Sequence, residues 1–376
     1  MKMSVRLLAI IGCAGWIFSA PGAMAQQPLP YVPAALRHEF TGTYFTDMSH
    51  GYVFGPDSFI ATDDGGATWR VVPNVRAKPT FFLDGQTFWF FARDGGLDRT
   101  TDGGATFAAY NHPTFVDLAK QQKSPICGTL FFLTVTDGWS ICGSSVLRTS
   151  DGGQTWKATL LPPALRAVYD NVHMFDAQNG IAVGRSDPAI RTTDGGGTWT
   201  AIPNAPKLAQ LSCTATGFCA GLRGLHGPVL VSSDQGQSWQ DTHIPLQLPD
   251  RDEIYTIQAI GSTSVVVAGD DSGFTRNDLA PYIGKRTPVP TFGPELALLL
   301  RWNGTTWTRI SHSELKTVSS AYFVDSRDGF ITGYGDNVVY TTADGGQTLE
   351  FVPDYFRQIA ALTLSPTPFV IPTPGP

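Results

Sequence analysis

The groups in this 376-residue chain that could do chemistry are 32 acidic side chains, 26 basic ones, 7 histidines and 5 cysteines. The histidines (His38, His50, His112, His173, His226, His243 and His312) show no ligand spacing, and no CxxC pair accompanies the cysteines, so a bound metal is not expected. Hydrolysis of a glycosidic bond needs two carboxylates that converge on one groove. Outside a repeated motif described below, the aspartates Asp57, Asp84, Asp117, Asp170, Asp176, Asp270, Asp271 and Asp325 form no evident pair. Most stand at bends, where Asp forms turns. No nucleophile elbow, phosphate loop or calcium loop is present. No catalytic, cofactor-binding or metal-binding residue can therefore be named.

The elements that would have to position such groups come from a repeat. The motif is Thr/Ser-x-Asp-x-Gly-x-Thr/Ser-aromatic. It stands as Thr62-Asp63-Asp64-Gly65-Gly66-Ala67-Thr68-Trp69 and returns with its third-position acid at Asp102, Asp151, Asp194 and Asp234. A late copy at Asp344 ends in Leu349 instead of an aromatic residue. These aspartates lie 38, 49, 43, 40 and 110 residues apart, and the last gap hides a shorter copy in which Asn303 replaces Asp. The count is seven.

Asp at the turn entry accepts backbone N–H bonds, Gly supplies positive φ, and the closing aromatic residue starts a strand. Before each turn lie short strands flanked by Gly, such as Gly180-Ile181-Ala182-Val183-Gly184, and earlier an apolar strand ending in Phe-Asp, as at Phe175-Asp176. Four short antiparallel strands per unit make one propeller blade. A lone blade buries little, so seven must close in a ring. The fold expected is all-β, a seven-bladed β-propeller over residues 38–355, with a Pro-rich insertion at about 276–295. An N-terminal linker, 26–37, precedes it, and a Pro-rich tail, 356–376, follows it; Leu362 and Leu364 could add an edge strand.

Composition agrees. Gly and Pro make up 67 residues, about 18% of the chain, against roughly 12% on average. That excludes a helical bundle, while 9 Trp, 11 Tyr and 23 Phe exclude a disordered chain. A net charge of −6 with no basic run argues against nucleic acid.

The N-terminus reads as an export signal. Lys2 and Arg6 precede the apolar stretch Leu7 to Phe18, and Ala23-Met24-Ala25 supplies the small residues for cleavage before Gln26. Losing Lys2 and Arg6 takes the charge to −8. The alternative is a lipoprotein acylated at Cys13. No apolar run reaches the ~20 residues of a transmembrane helix, so a periplasmic or secreted protein, expected to be a monomer, follows.

The repeated Thr-x-Asp-Gly-Gly-x-Thr-Trp resembles the Asp-box of bacterial-neuraminidase-type repeats. The fuller unit, with a Gly-aromatic-x-Val-Gly strand before Leu-Arg-Thr-Thr-Asp-Gly-Gly, is similar to the photosystem II stability and assembly factor family. That resemblance implies an exported seven-bladed propeller that binds protein partners in the envelope and catalyses nothing. In photosynthetic members an arginine patch contributes to partner binding, which points to Arg99, Arg148 and Arg191, placed identically in three successive units. The other reading of these arginines is pairing with turn carboxylates or stacking on neighbouring rings.

The rival from another class is a carbohydrate-active enzyme, a glycoside hydrolase or sialidase-like protein using the propeller axis. Sialidases carry an Arg-Ile-Pro motif in the first blade and are usually six-bladed. Here the nearest string is Arg286-Thr287-Pro288, in the late insertion.

Four cysteines remain after export. Their spacing favours Cys127–Cys142 and Cys213–Cys219, each joining neighbouring antiparallel strands. Mass spectrometry of the unreduced protein should show two disulfides, and four free thiols would contradict this pairing.

Overall fold

Each repeat unit folds as four short strands in simple sequence order, and seven such antiparallel sheets follow one another along the chain. The computed structural model describes residues 41–55, 59–72, 75, 80–91, 96–110, 127–142, 144–165, 169–246, 252–270, 297–310, 315, 318–333 and 339–352. The export signal, the N-terminal linker, the insertion and the Pro-rich tail lie outside the described residues. So do Leu362 and Leu364.

Blade 3 shows the plan: Cys127–Phe132, Gly138–Cys142, Ser145–Thr149 and Lys157–Leu160. Its second strand is buried throughout, while its fourth is largely exposed. The burial gradient follows from the ring, because inner strands are covered by neighbouring blades on both sides. Outer strands are short, only two residues in blades 1, 4, 5 and 7, which leaves little edge for another chain to pair with.

The first strands stand innermost. They are Gly42–Phe45, Phe81–Phe82, Cys127–Phe132, Asn171–Met174, Gln210–Cys213, Glu253–Ile260 and Ser320–Phe323. Side chains on these strands reach the next blade directly. Thr129 Oγ1 donates to the Asp170 carbonyl, Asn171 Nδ2 to that of Ala209 at 3.3 Å, and Gln210 Nε2 to that of Tyr255 at 3.2 Å. Gln258 both donates to and accepts from the Phe323 backbone at 2.8 Å. Thr43 and Ser320 hydroxyls meet at 3.1 Å across blades 1 and 7.

The final residue of the first strand packs on the second strand of the preceding blade. Phe132 stacks on Trp89 with centroids 3.7 Å apart, and Phe45 stacks on Phe330 at 3.3 Å. Phe45–Phe330 is the closing seam. In the described residues no blade mixes strands from the two ends of the repeat region, so side-chain packing closes the ring. Val53, Trp69, Val339 and Val352 complete that cluster.

Blade 6 departs from the plan. Its first two strands run eight and seven residues, with a bulge between Ile254 and Thr256. The insertion joins its second strand to its third. In an up-and-down blade the first-to-second and third-to-fourth turns share one face. The second-to-third turns and the inter-blade connections share the other. The insertion therefore leaves from the face opposite the Asp-boxes.

Phe45→Ala removes the closing stack and should destabilise the protein by about 3–5 kcal/mol in guanidinium unfolding. Val71→Ala, on an exposed outer strand, should shift stability by less than about 0.5 kcal/mol. Equal losses would place ring closure elsewhere.

Candidate functional site

The box is built the same way in each complete copy. Thr62 Oγ1 accepts from Gly66 N–H at 2.7 Å and donates to Asp64 Oδ1 at 3.0 Å. Asp64 then accepts from the Thr68 N–H at 2.7 Å and its hydroxyl at 2.6 Å. The same four contacts recur around Asp102, Asp151, Asp194, Asp234 and Asp344. In the shortened copy Asn303 Oδ1 accepts from Thr305 N–H at 3.0 Å and Thr306 N–H at 2.9 Å. Hydroxyl and N–H donors from Thr106, helped by Thr100, hold Asp102 down to about 2, and Thr348 does the same for Asp344. All six box carboxylates lie below the ordinary value. Every box carboxylate is thus saturated by its own turn.

The box is also a joint between blades. Gly152 and Gly153 adopt φ of 76° and 98°, which favours Gly. A Cβ on Gly153 would meet Leu97 of the preceding blade at 2.9 Å, so close approach requires Gly there as well. Trp89 Nε1 donates to the Gly152 carbonyl at 3.1 Å, and Trp139 Nε1 to that of Gly195 at 2.9 Å.

Arg99 and Arg148 belong to this joint. Arg99 lies 5.4 Å over the Trp89 ring, its cross-strand partner, and Arg148 lies 5.4 Å over Trp139. A Cβ on Gly152 or Gly195 would run into the Arg99 or Arg148 guanidinium, respectively. Arg191 occupies the same register but faces Ile181 and has no ring to stack on. The structure thus sets Arg99 and Arg148 at successive blade seams, each stacked on a ring, and places Arg191 at the same register position opposite Ile181. Sequence spacing missed two more: Arg70 donates to the Gly103 carbonyl at 3.1 Å and Arg301 to that of Gly345 at 3.3 Å. Arg301 is the penultimate residue of its strand, like Arg99, but the shortened box shifts its distance from the acid.

A second ring of turns lies inside the boxes. Asp47 Oδ1 accepts from Ser49 and His50 N–H, and Asp84, Asp176 and Asp325 do the same in their blades at 2.6–2.8 Å. The Phe-Asp strand ends in the sequence are the visible trace of this ring. Each box docks on it, as in Gly195 N–H to the Gln178 carbonyl at 2.8 Å.

One residue below these turns, the register aligns the penultimate residues of the innermost strands. Tyr44, Phe81, Phe131, His173 and Tyr322 take this place in blades 1, 2, 3, 4 and 7. All five are half-buried. Tyr322 and Tyr44 are 5.3 Å apart, Phe81 and Phe131 5.3 Å, and Phe131 and His173 4.6 Å, with Tyr44 also stacked on Phe82 at 4.3 Å. Blades 5 and 6 offer Ser212 and Ala259 instead. Burial pushes the His173 imidazole down to about 4, so it is neutral at pH 7. Burial raises Tyr44, as do Tyr322 and Asp84, and burial pushes Tyr322 up to about 12.

Cys213 and Cys219 pair across the first hairpin of blade 5 as a disulfide, with Cα atoms 4.1 Å apart. Cys142 is disulfide-bonded and stands in register with Cys127; the Cys127 side chain lies outside the described residues. Among the described residues no cluster of His, Cys, Asp or Glu suited to a metal is present, and no helix is long and apolar enough to cross a membrane.

Residues 114–244 match the family described as photosynthesis system II assembly factor YCF48. The chain is thus a seven-bladed propeller similar in sequence to a photosystem II assembly factor. A curated relative, photosystem II assembly lipoprotein Ycf48 of Synechococcus sp. (strain CC9902), is 26% identical over 175 residues, 44% of this chain. The match spans 51% of that relative, about half its length. The solved structure of YCF48 from Cyanidioschyzon merolae superposes with a TM-score of 0.54 and 16% identity, over 83% of this chain and 97% of that one. YCF48 bound to D1 peptide gives 0.53 and 18%, over 82% and 93%. At these identities the superpositions establish the fold.

Because Asp102 titrates below its unfolded value of ~3.9, the stability it confers is present above pH ~4 and is lost as pH falls towards 2. Asp102→Asn should flatten the acid limb of the unfolding curve between those values. An unchanged acid limb would mean that the box carboxylate is not held by its turn.

Proposed function

We propose that this chain is a non-catalytic, exported protein-binding propeller that acts as an assembly or stability factor for an envelope protein. The observation that carries this reading is the composition of the axis. Among the described residues the innermost strands hold one carboxylate, Glu253, and no arginine or lysine. Glu253 accepts a hydrogen bond from the Tyr255 hydroxyl at 3.1 Å. A glycosidase needs a carboxylate pair on that axis, and a sialidase needs arginines there. The sequence likeness to an assembly lipoprotein supports the same reading, and the D1 peptide held by the relative indicates the kind of ligand, a segment of a partner chain. Export with the leader 1–25 fits the two disulfides, and acylation at Cys13 would tether the same propeller to a membrane.

The face opposite the boxes is the proposed partner surface. It gathers every second-to-third and inter-blade connection, and the insertion is the feature that sets blade 6 apart. Arg191 borders its box at the other end of blade 4 and, unstacked, would be a second point of contact there, while Arg99 and Arg148 serve the seams.

Deletion of residues 277–295 should leave the unfolding midpoint unchanged and weaken capture of partners from the envelope fraction. Retention of the same partners would exclude the insertion. Arg191→Ala should lower capture with no loss of stability. Arg148→Ala should cost about 1 kcal/mol of stability and leave capture intact. The reverse pattern would move the binding role to the seam arginines.

A further inference from the structure

The axial opening on the box face combines three features that the protein-binding reading does not use. The first is charge. The seven inner turns carry Asp47, Asp84, Asp137, Asp176, Asp325 and Asp328. Among the described residues of these turns the permanent cation is Arg327, which donates to the Ala343 carbonyl at 3.2 Å, and the His50 ring hydrogen-bonds with Asp47. Asp325 and Asp176 lie below the ordinary carboxylate value because backbone N–H groups and, for Asp176, the Asn179 amide bond to them. Six box aspartates surround these turns. This mouth stays negative to well below neutral pH.

The second feature lies one residue deeper. There the register holds a row of half-buried rings, from Tyr322 through Tyr44 and Phe81 to Phe131 and His173, with the small residues Ser212 and Ala259 at the same position in blades 5 and 6. Faces of such rings carry negative quadrupole charge, and rings arranged as a cage bind organic cations. The third feature is His173. It is half-buried between Phe131 and Phe175, is neutral, and has no hydrogen-bond partner among the described residues. Its neutral ring adds an acceptor without adding a positive charge.

We propose that this axial opening is a binding site for an alkylammonium group, either of a free amine or of a lysine side chain. An anion would be repelled by the mouth. A hard metal ion would find the mouth carboxylates already bonded to backbone N–H groups and only rings below them. A purely apolar ligand would gain nothing from the carboxylates. An organic cation is favoured by both layers. The site lies on the face opposite the proposed partner surface, so it stands or falls independently of that surface.

The test is calorimetric titration of the oxidised mature chain with choline and with its uncharged isostere, 3,3-dimethylbutan-1-ol. Choline should bind at least about tenfold more tightly than the isostere, and added salt should weaken it. Tyr322→Leu should weaken choline binding about tenfold, whereas Tyr322→Phe, which keeps the ring, should bind as the wild type does. Asp84→Asn retains an acceptor for the turn and should weaken binding severalfold. A second pair of probes, Nα-acetyl-lysine amide and its Nε-acetylated form, distinguishes the sources. Binding of the charged form alone assigns the site to lysine side chains as well as free amines; binding of choline without either assigns it to free amines. Equal binding of choline and its isostere, or no saturable choline binding at tens of millimolar, would overturn the proposal. The comparison of probes on the wild-type chain does not depend on any variant folding.

Discussion

A four-stranded blade in this protein cannot bury its own faces, and the whole structure depends on how one blade grips the next. The grip is local and repeated. In blades 1, 2 and 3 a ring at the end of the innermost strand lies on the second strand of the blade before it, as Phe132 does on Trp89. On the box side, the first glycine carbonyl of a box receives a Trp or Arg donor from the preceding blade, and the second glycine leaves room for that blade's apolar side chains. Gly at the second position is favoured twice over, by positive φ and by the approach of the neighbouring sheet, whereas the first position has positive φ throughout but is Gln235 in blade 5. The commonest motif in the chain is therefore both a turn and a hinge pin between sheets.

This constraint explains why the two faces differ. On the box face every turn is fixed by its own hydrogen bonds and by the seam, so its length varies little. The opposite face carries connections of very different length, the longest joining the second and third strands of blade 6. A propeller whose scaffold lies at one end can change its partner at the other without disturbing the joints.

Much of this was legible in the sequence. The box residues, the count of seven and the four-strand unit followed from spacing, and Asn303 was readable as a degenerate copy. The pairing of Cys213 with Cys219 was likewise visible, because a six-residue separation spans one hairpin. What could not be read were contacts that exist only after the ring forms. Arg99 and Arg148 stand eight residues before an aromatic, which suggested a shared patch, yet the ring each stacks on is its cross-strand partner, Trp89 or Trp139, and the box each meets lies in the next blade. Arg70 reaches a box from an outer strand, so no spacing rule finds it. The axial arc is hidden for a related reason: Tyr44, Phe81, Phe131, His173 and Tyr322 share a register position but not a residue type, and only closure brings Tyr322 beside Tyr44.

Among the described residues the ring closes through side chains, and native-state hydrogen exchange of the box amides tests that closure most directly. The N–H groups of Gly66, Gly104, Gly153, Gly196, Gly236 and Gly346 each donate to the Thr or Ser hydroxyl that opens their box, giving one equivalent probe in each of six blades. If the Phe45–Phe330 seam is as firm as the others, Gly66 in blade 1 and Gly346 in blade 7 should be protected to the same degree as Gly153 and Gly196. Exchange at Gly66 and Gly346 faster by orders of magnitude would show that the ring opens at that seam and that its closure is not what holds the blades together.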